Sequence, residues 1–306
     1  MNGVVDDVSS LLAPMDFSFS DYDVNQWLCL DTSPPAPFAP LPLYPYPETA
    51  KIDKWSTNQI LLDMKKFPAM FACSQKTPFI HARLYETFLP EPIQDAFAVS
   101  AAYASRNADT EDMALRILES KATSLAQKDN TTWSIQEQLA GVQALLLFHI
   151  IQLFDGDIRQ RSVAESHDHI LEAWTMRLHS LSTNEDQSKD WRSWIAAESV
   201  RRTVILSIIV LDIYSVLKRG YCTNVPKLAM LPFTLNAELW NATSAGAWSA
   251  DAEPAGAKTV MYGEYSQAWA SGQIVGKTER FQKLLLIPCL GEKYKDALEL
   301  EESKCT

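Results

Sequence analysis

Three groupings in this 306-residue chain have side chains whose types and spacing could do chemistry. Glu198 and Arg202 stand four residues apart, the spacing that puts an acid and a base side by side on one helix face. In an apolar stripe an unpaired charge costs several kcal/mol, so the two must be hydrogen-bonded to each other, and the pair is expected to be an architectural lock rather than a catalyst. His167-Asp168-His169 has the residue types of a metal site, but side chains at i and i+2 on a helix point apart, so no metal is expected there. Gly276-Lys277-Thr278 ends like a phosphate-binding loop, yet Ser271 occupies the position of the first glycine in G-x-x-x-x-G-K-T and no buried strand precedes it. The five cysteines, Cys29, Cys73, Cys222, Cys289 and Cys305, are odd in number and far apart, with no C-x-x-C, so neither a disulfide framework nor a zinc site is expected. A helical enzyme enclosing an apolar substrate would need an acid-rich motif such as D-D-x-x-D on a helix, none is present, and Asp6-Asp7 belongs to the N-terminal tail. No catalytic, cofactor-binding or metal-binding residue is therefore assigned.

The element that must position Glu198 and Arg202 is the stretch from Trp191 to Gly220. At 100° per residue, Trp191, Ile195, Glu198, Arg202, Ile205, Ile209, Ile213 and Val216 share one side. From Thr203 to Leu211 there is no charge, and Val204, Leu211 and Tyr214 cover the other side, which predicts a buried core helix. Asp212 interrupts it before the roughly 18 uncharged residues a bilayer needs, and no apolar run is expected to reach spanning length.

Other helices are predicted around it. The first is WSTNQILLDMKKF, with Pro90 and Pro92 marking a connection; EPIQDAFAVSAAYASRN follows, with Ile93, Phe97, Ser100, Ala101 and Ala104 on one face, and then EDMALRILESKATSLAQ. Ser134 and Glu137 form a capping box ahead of a helix apolar on all sides from Val142 to Phe154, which holds His149 as a satisfied core imidazole and stops at Gly156. A helix from Ser162 to Leu181 sets Val163, His167, Ile170, Leu171, Trp174, Leu178 and Leu181 on one face. Beyond Gly220 periodicity fades into irregular chain with short helical turns. ERFQKLLLI, stopped by Pro288, closes the core, and EKYKDALELEES is a charged helix. No strand is expected, so the fold class is all-α, with one helical domain over residues 51 to 306.

Residues 1 to 50 differ in kind. They hold eight of the sixteen prolines, seven acidic residues and no Lys or Arg, leaving the remainder at about −4 of the net −11. The proline run from Pro34 to Pro47 excludes helix and sheet interior, which predicts a disordered acidic, proline-rich tail. Ahead of it Phe17, Phe19, Trp27 and Leu28 alternate with Asp16, Asp21, Asp23 and Asp31, the composition of an activation segment; the alternative is a tail whose aromatics fold back on the domain. Two early aspartates and no basic n-region argue against a secretory leader, and the scattered cysteines fit a reducing, intracellular compartment. The basic pairs Lys65-Lys66, Arg201-Arg202 and Lys218-Arg219 are isolated, so direct DNA binding is not expected, and no nuclear localisation run is visible.

LAGVQALLLFHIIQLFDGDIRQRSVAESHDHILEAWTMRL, WRSWIAAESVRRTVILSIIVLDIYSVL and LPFTLNAELWNATSAGAW, in this order, resemble the fungal-specific transcription factor domain, the middle homology region of zinc-cluster regulators. The resemblance runs from about residue 134 to 291. Its most specific parts are LFDGD and the run Trp191, Trp194, Ile195, Glu198, Ser199, Arg201, Arg202 and Thr203. It implies an all-helical regulatory domain, nuclear, often encoded beside secondary-metabolism genes, that controls transcription without catalysis, with Trp191, Trp194, Glu198, Arg201 and Arg202 as a structural core motif. The family's DNA reader, six cysteines holding two zinc ions, has no counterpart among the five scattered cysteines. The expected partners are accordingly the transcription machinery or a DNA-binding protein, with a homodimer or heterodimer compatible; a small-molecule-sensing module is the alternative, and sequence does not separate the two.

Overall fold

The computed structural model describes residues 46–182, 190–252, 257–273 and 278–291. Four helices come first: α1 (Lys54–Met64), α2 (Phe67–Ser74), α3 (Glu91–Ala104) and α4 (Glu111–Ala126). Three long ones follow, α5 (Ile135–Phe154), α6 (Ile158–Ser182) and α7 (Trp191–Arg219). The remainder is shorter: α8 (Val225–Ala229), β1 (Pro232–Thr234), α9 (Ala237–Asn241), α10 (Ala245–Ala252), β2 (Thr259–Met261), α11 (Tyr262–Ala270) and α12 (Arg280–Leu290). The fold is helical, with one small sheet.

The core is built on α5. Ser134 and Glu137 close a capping box at its start, and every residue from Gln138 to Phe154 is buried. The helix packs against α3, α6 and α7. It is long and apolar enough to reach a membrane span by length and composition, contrary to the sequence expectation, but nearly all of it is buried inside the protein. Such a helix satisfies its apolar surface against neighbouring helices.

Helix α7 packs against α5 and α6. Asp190 caps it, accepting from the amides of Arg192 and Ser193 at 2.9 and 3.0 Å. From Arg202 to Val210 every residue is buried. Gly220 ends the helix with φ of 85°, a left-handed conformation that glycine adopts without strain, and donates its amide to the Val216 carbonyl at 2.8 Å.

Several expectations need correction. A two-stranded antiparallel sheet exists, pairing Pro232 with Met261, Phe233 with Val260 and Thr234 with Thr259. Strands of three residues are too short to show a period of two, so the pattern could not reveal them. Helix α2 was not expected; Phe67-Pro68 starts it, with proline in the first turn where a missing amide costs nothing. In α3 the buried face is Ile93, Ala96, Val99, Ser100 and Tyr103, whereas Phe97 is 38% exposed and meets Phe71 edge-on at 5.7 Å. Helix α6 begins four residues earlier than Ser162, because the Asp157 carboxylate accepts from the Gln160 amide at 2.8 Å and caps the extra turn. Leu181, expected on its buried face, is 38% exposed. Pro288 does not stop α12, which runs on to Leu290. It falls in the last turn, where the preceding carbonyl, that of Ile287, accepts from Ser56 Oγ at 3.0 Å and from the Gly291 amide at 3.1 Å. The helix expected over EKYKDALELEES lies outside the described residues.

Candidate functional site

Glu198 and Arg202 lie in successive turns of α7, and neither is exposed at all. Arg202 Nε donates to Glu198 Oε1 at 2.8 Å, and from the neighbouring face Arg201 Nε donates to Oε2 at 2.9 Å. The rest of the site comes from distant sequence. Thr234 of β1 turns its amide toward Glu198 Oε1 and Oε2 at 3.2 and 3.1 Å and donates its hydroxyl to Oε2 at 2.7 Å. The far side of Arg202 pairs with Glu279, which immediately precedes α12, and Nη1 donates to the Pro78 carbonyl at 3.3 Å. Its guanidinium carbon stands 4.0 Å from the Trp240 ring centre and 4.6 Å from that of Phe281. One buried arginine thus holds two carboxylates and two aromatic rings, drawn from α7, α9 and the start of α12.

The electrostatics follow from this geometry. Burial alone would raise the Glu198 carboxyl, yet Arg201, Arg202 and the Thr234 hydroxyl outweigh it and hold it below the ordinary carboxylate range. Burial opposes the charge on Arg202, but Glu279 and Glu198 together raise its pKa further above the arginine value. Glu279 is the exception: burial wins over Arg202 and its carboxyl is pushed up. Of the two carboxylates, Glu279 is the one that takes up a proton first on acidification.

Aromatic side chains continue outward from Trp240 and along α7. His81 meets Trp240 edge-on at 5.1 Å and Trp191 at 6.3 Å. Burial, together with the positive charges of Lys76 and Arg202, lowers its pKa to about 4, so it is neutral at physiological pH. Trp194 is buried and stands 6.0 Å from Trp248 of α10. Next along α7, Thr203 Oγ1 accepts from Gln143 Nε2 at 3.0 Å, and Gln143 Oε1 accepts from Tyr85 at 2.6 Å. Hydrogen bonds therefore tie α7 to α5 and to the chain between α2 and α3.

Both oxygens of Glu198 are occupied by fixed donors and the pair is sealed from solvent. No substrate atom can approach that carboxylate without displacing a buried partner, an arrangement that fixes position rather than reacts. Two cavities are notable elsewhere: an open depression lined by Asp157, Ile158, Arg159, Ser162 and Val163, and a narrow cleft of about 10 Å³ between Glu172, Thr175, Ser207 and Asn224. Neither reaches Glu198 or Arg202.

The structure brings Trp191, Trp194, Glu198, Arg201 and Arg202 together on α7 and adds Thr234, Trp240, Glu279 and Phe281, which sequence reasoning did not assign. For Glu279 a signal existed: Glu279 and Gln282 form a box at the start of α12, the amide of Glu279 donating to Gln282 Oε1 at 3.2 Å. Nothing in the local pattern said that the same carboxylate reaches an arginine far back in the chain. His167 is buried, Asp168 faces His149 Nε2 at 3.4 Å, and His169 is exposed, so the triplet is spread over different faces of α6. His149 itself is buried, with Nδ1 3.0 Å from the Leu145 carbonyl. Phe17, Phe19, Trp27 and Leu28 lie outside the described residues, as do Gly276 and Lys277.

No family model and no solved structure matches the chain. A curated protein, transcription factor gsfR2 of Penicillium aethiopicum, is 36% identical over an alignment of 222 positions that covers 66% of this chain and 53% of that protein. The chain spans about half the length of the curated relative it matches. It is similar to a transcription factor.

Proposed function

We propose that this chain is a transcription regulator of the fungal zinc-cluster type, nuclear, whose helical part is a regulatory domain and whose acidic N-terminal segment makes the activating contact. In this reading the chain has no catalytic role. It acts on secondary-metabolism genes through the transcription machinery or through a DNA-binding partner, a reading that fits the five scattered cysteines of this sequence, which do not form a six-cysteine zinc cluster among themselves. The observation that carries the reading is the likeness of 222 residues to a transcription factor. The sealed Glu198, Arg202 and Glu279 cluster supports it, since three ion-paired side chains enclosed by Trp240 and Phe281 tie four elements of a scaffold and offer a substrate no access.

The test is a reporter assay with residues 1–33 and, separately, the full chain fused to an unrelated DNA-binding domain. Residues 1–33 are expected to switch the reporter on, and replacing Phe17, Phe19 and Trp27 by alanine to silence it with the charge unchanged, because the aromatics supply the apolar contact to a coactivator groove. A silent segment and a silent full chain overturn the activator reading. Partners are identified by crosslinking in nuclear extract followed by mass spectrometry, where recovery of a sequence-specific DNA-binding protein is the expected result.

A further inference from the structure

The His167-Asp168-His169 triplet plays no part in the buried cluster of α7, yet its aspartate meets a second sealed group. His149 of α5 is fully buried between two oxygens. Its Nδ1 is 3.0 Å from the Leu145 carbonyl one turn back, and its Nε2 is 3.4 Å from Asp168 Oδ1 on α6. Both Nε2 and Oδ1 are shut off from solvent, and neither makes a hydrogen bond among the described residues. A carbonyl and a carboxylate can only accept. A neutral imidazole carries a single N–H, so either tautomer turns a bare lone pair toward one of the two oxygens. Turning the ring over places C–H groups against both and gives up both contacts. A proton on each nitrogen removes the conflict. It also gives the sealed Asp168 oxygen a counter-charge, without which a buried carboxylate is costly.

We infer that His149 is an imidazolium held by Asp168, a clasp through which the packing of α6 on α5 depends on one bound proton. The proton belongs on the ring, because imidazole is a stronger base than a carboxylate. Asp168 keeps 34% of its side chain exposed, so it is the route by which the proton exchanges with water. On either side the other ionisable groups have partners of their own or face water. Glu165 of α6 accepts from Tyr214 of α7 and pairs with Lys218 at 2.9 Å, and His169 is exposed. Tyr103 of α3 donates to Asp155 at the end of α5, while Asp95 and Glu91 pair with Lys121 and Lys128. Burial, followed by the positive charges of His149 and His169, holds His167 below the ordinary histidine value, so His167 is not the charged ring. When the proton leaves, a lone pair and a carboxylate face each other in a sealed space, and Asp168 must swing outward from α5. The clasp is independent of what the domain regulates.

The full chain, labelled with ¹⁵N in its five histidines, tests this by long-range proton–nitrogen correlation at neutral pH. An imidazolium shows its two nitrogens at nearly the same shift, whereas a neutral ring shows them far apart. One ring, assigned to His149 by its through-space contacts to core methyl groups, is expected to have the imidazolium pattern. Asp168→Asn should turn that ring neutral at the same pH and lower the folding equilibrium constant on the order of tenfold in urea titration, the weight of one charge-assisted contact. Its sign separates the two states of the ring: were Nε2 bare in the wild type, the new amide would donate to it and the variant would gain stability. His169→Gln, on the exposed face of the same turn, should change neither readout. The clasp is refuted by a neutral His149 pattern in the wild-type chain, by an imidazolium that persists in Asp168→Asn, or by unchanged or increased stability of that variant.

Discussion

At the scale of single residues, the buried charges respond most sharply to change. Glu198→Ala leaves Arg202 and Arg201 without their shared acceptor and the Thr234 amide without a partner. A loss of about 3 to 5 kcal/mol is expected for breaking a buried pair from one side. Urea unfolding of the variant checks this, and a midpoint within error of wild type would mean that the pair carries no weight. The sequence alone suggests that replacing both members by leucine is tolerated. The structure alters that expectation, since Glu279 would then be stranded in a buried position, so the tolerated change is the triple one that also converts Glu279.

Asp212 gives a second test at this scale. Burial raises its carboxyl to about 6 even though Asn224 donates to it at 2.8 Å. A carboxyl whose pKa is higher in the folded than in the unfolded state binds its proton more tightly when folded. Its stabilising contribution is complete below the unfolded value near 3.8 and is lost as pH rises through about 6. Asp212→Asn removes the ionisation, so the variant should gain on wild type by on the order of 2 to 3 kcal/mol between pH 4 and pH 7.5. A pH-independent difference in melting temperature between the two would show that Asp212 ionises normally in the fold.

At the scale of elements, two glycines separate backbone strain from steric clash. Gly220 has φ of 85° and open space where a Cβ would point, so Gly220→Ala probes only the left-handed backbone penalty at the end of α7. A cost of about 1 to 2 kcal/mol is expected. Gly263 has an ordinary backbone, but a Cβ there would run into the Tyr46 ring. Gly263→Ala should release the contact that seats Tyr46 against α11 while leaving α7 intact. Hydrogen exchange distinguishes the two: faster exchange around Ala50 and Cys222 is expected for Gly263→Ala and near Lys218 and Gly220 for Gly220→Ala. Identical exchange maps would refute the assignment.

For the whole molecule, the net charge of −11 decides the interaction with nucleic acid. The cations at the surface are dispersed, and several are already committed, as in Arg159 with Glu119 and Lys121 with Asp95. Phosphate neutralisation supplies most non-specific affinity for DNA, and an acidic surface forfeits it. Titration of the purified chain against genomic duplex fragments at physiological salt is therefore expected to show no sequence-selective binding below micromolar concentration. Selective sub-micromolar binding would require a reader that the present reading does not contain.

What the sequence determined by itself is what local repetition encodes. The 3.6-residue period marks α5 and α7, the capping box at Ser134 marks the start of α5, and the i,i+4 spacing of Glu198 and Arg202 follows from helix geometry whatever surrounds it. Where local signals compete, tertiary packing decided: α3 turned Phe97 outward toward Phe71, and α12 ran through Pro288 because that proline meets only its last turn. The sheet of β1 and β2 was invisible because each strand is shorter than the pattern that would announce it, and its register is set by residues about 27 positions apart in the chain. The same holds for the other half of the buried cluster. Trp240, Glu279 and Phe281 reach Arg202 across separations of 38 to 79 residues, and Thr234 reaches Glu198 across 36. No local period links such residues, and only the packing of α9, β1 and α12 against α7 makes Arg202 the arginine that they share.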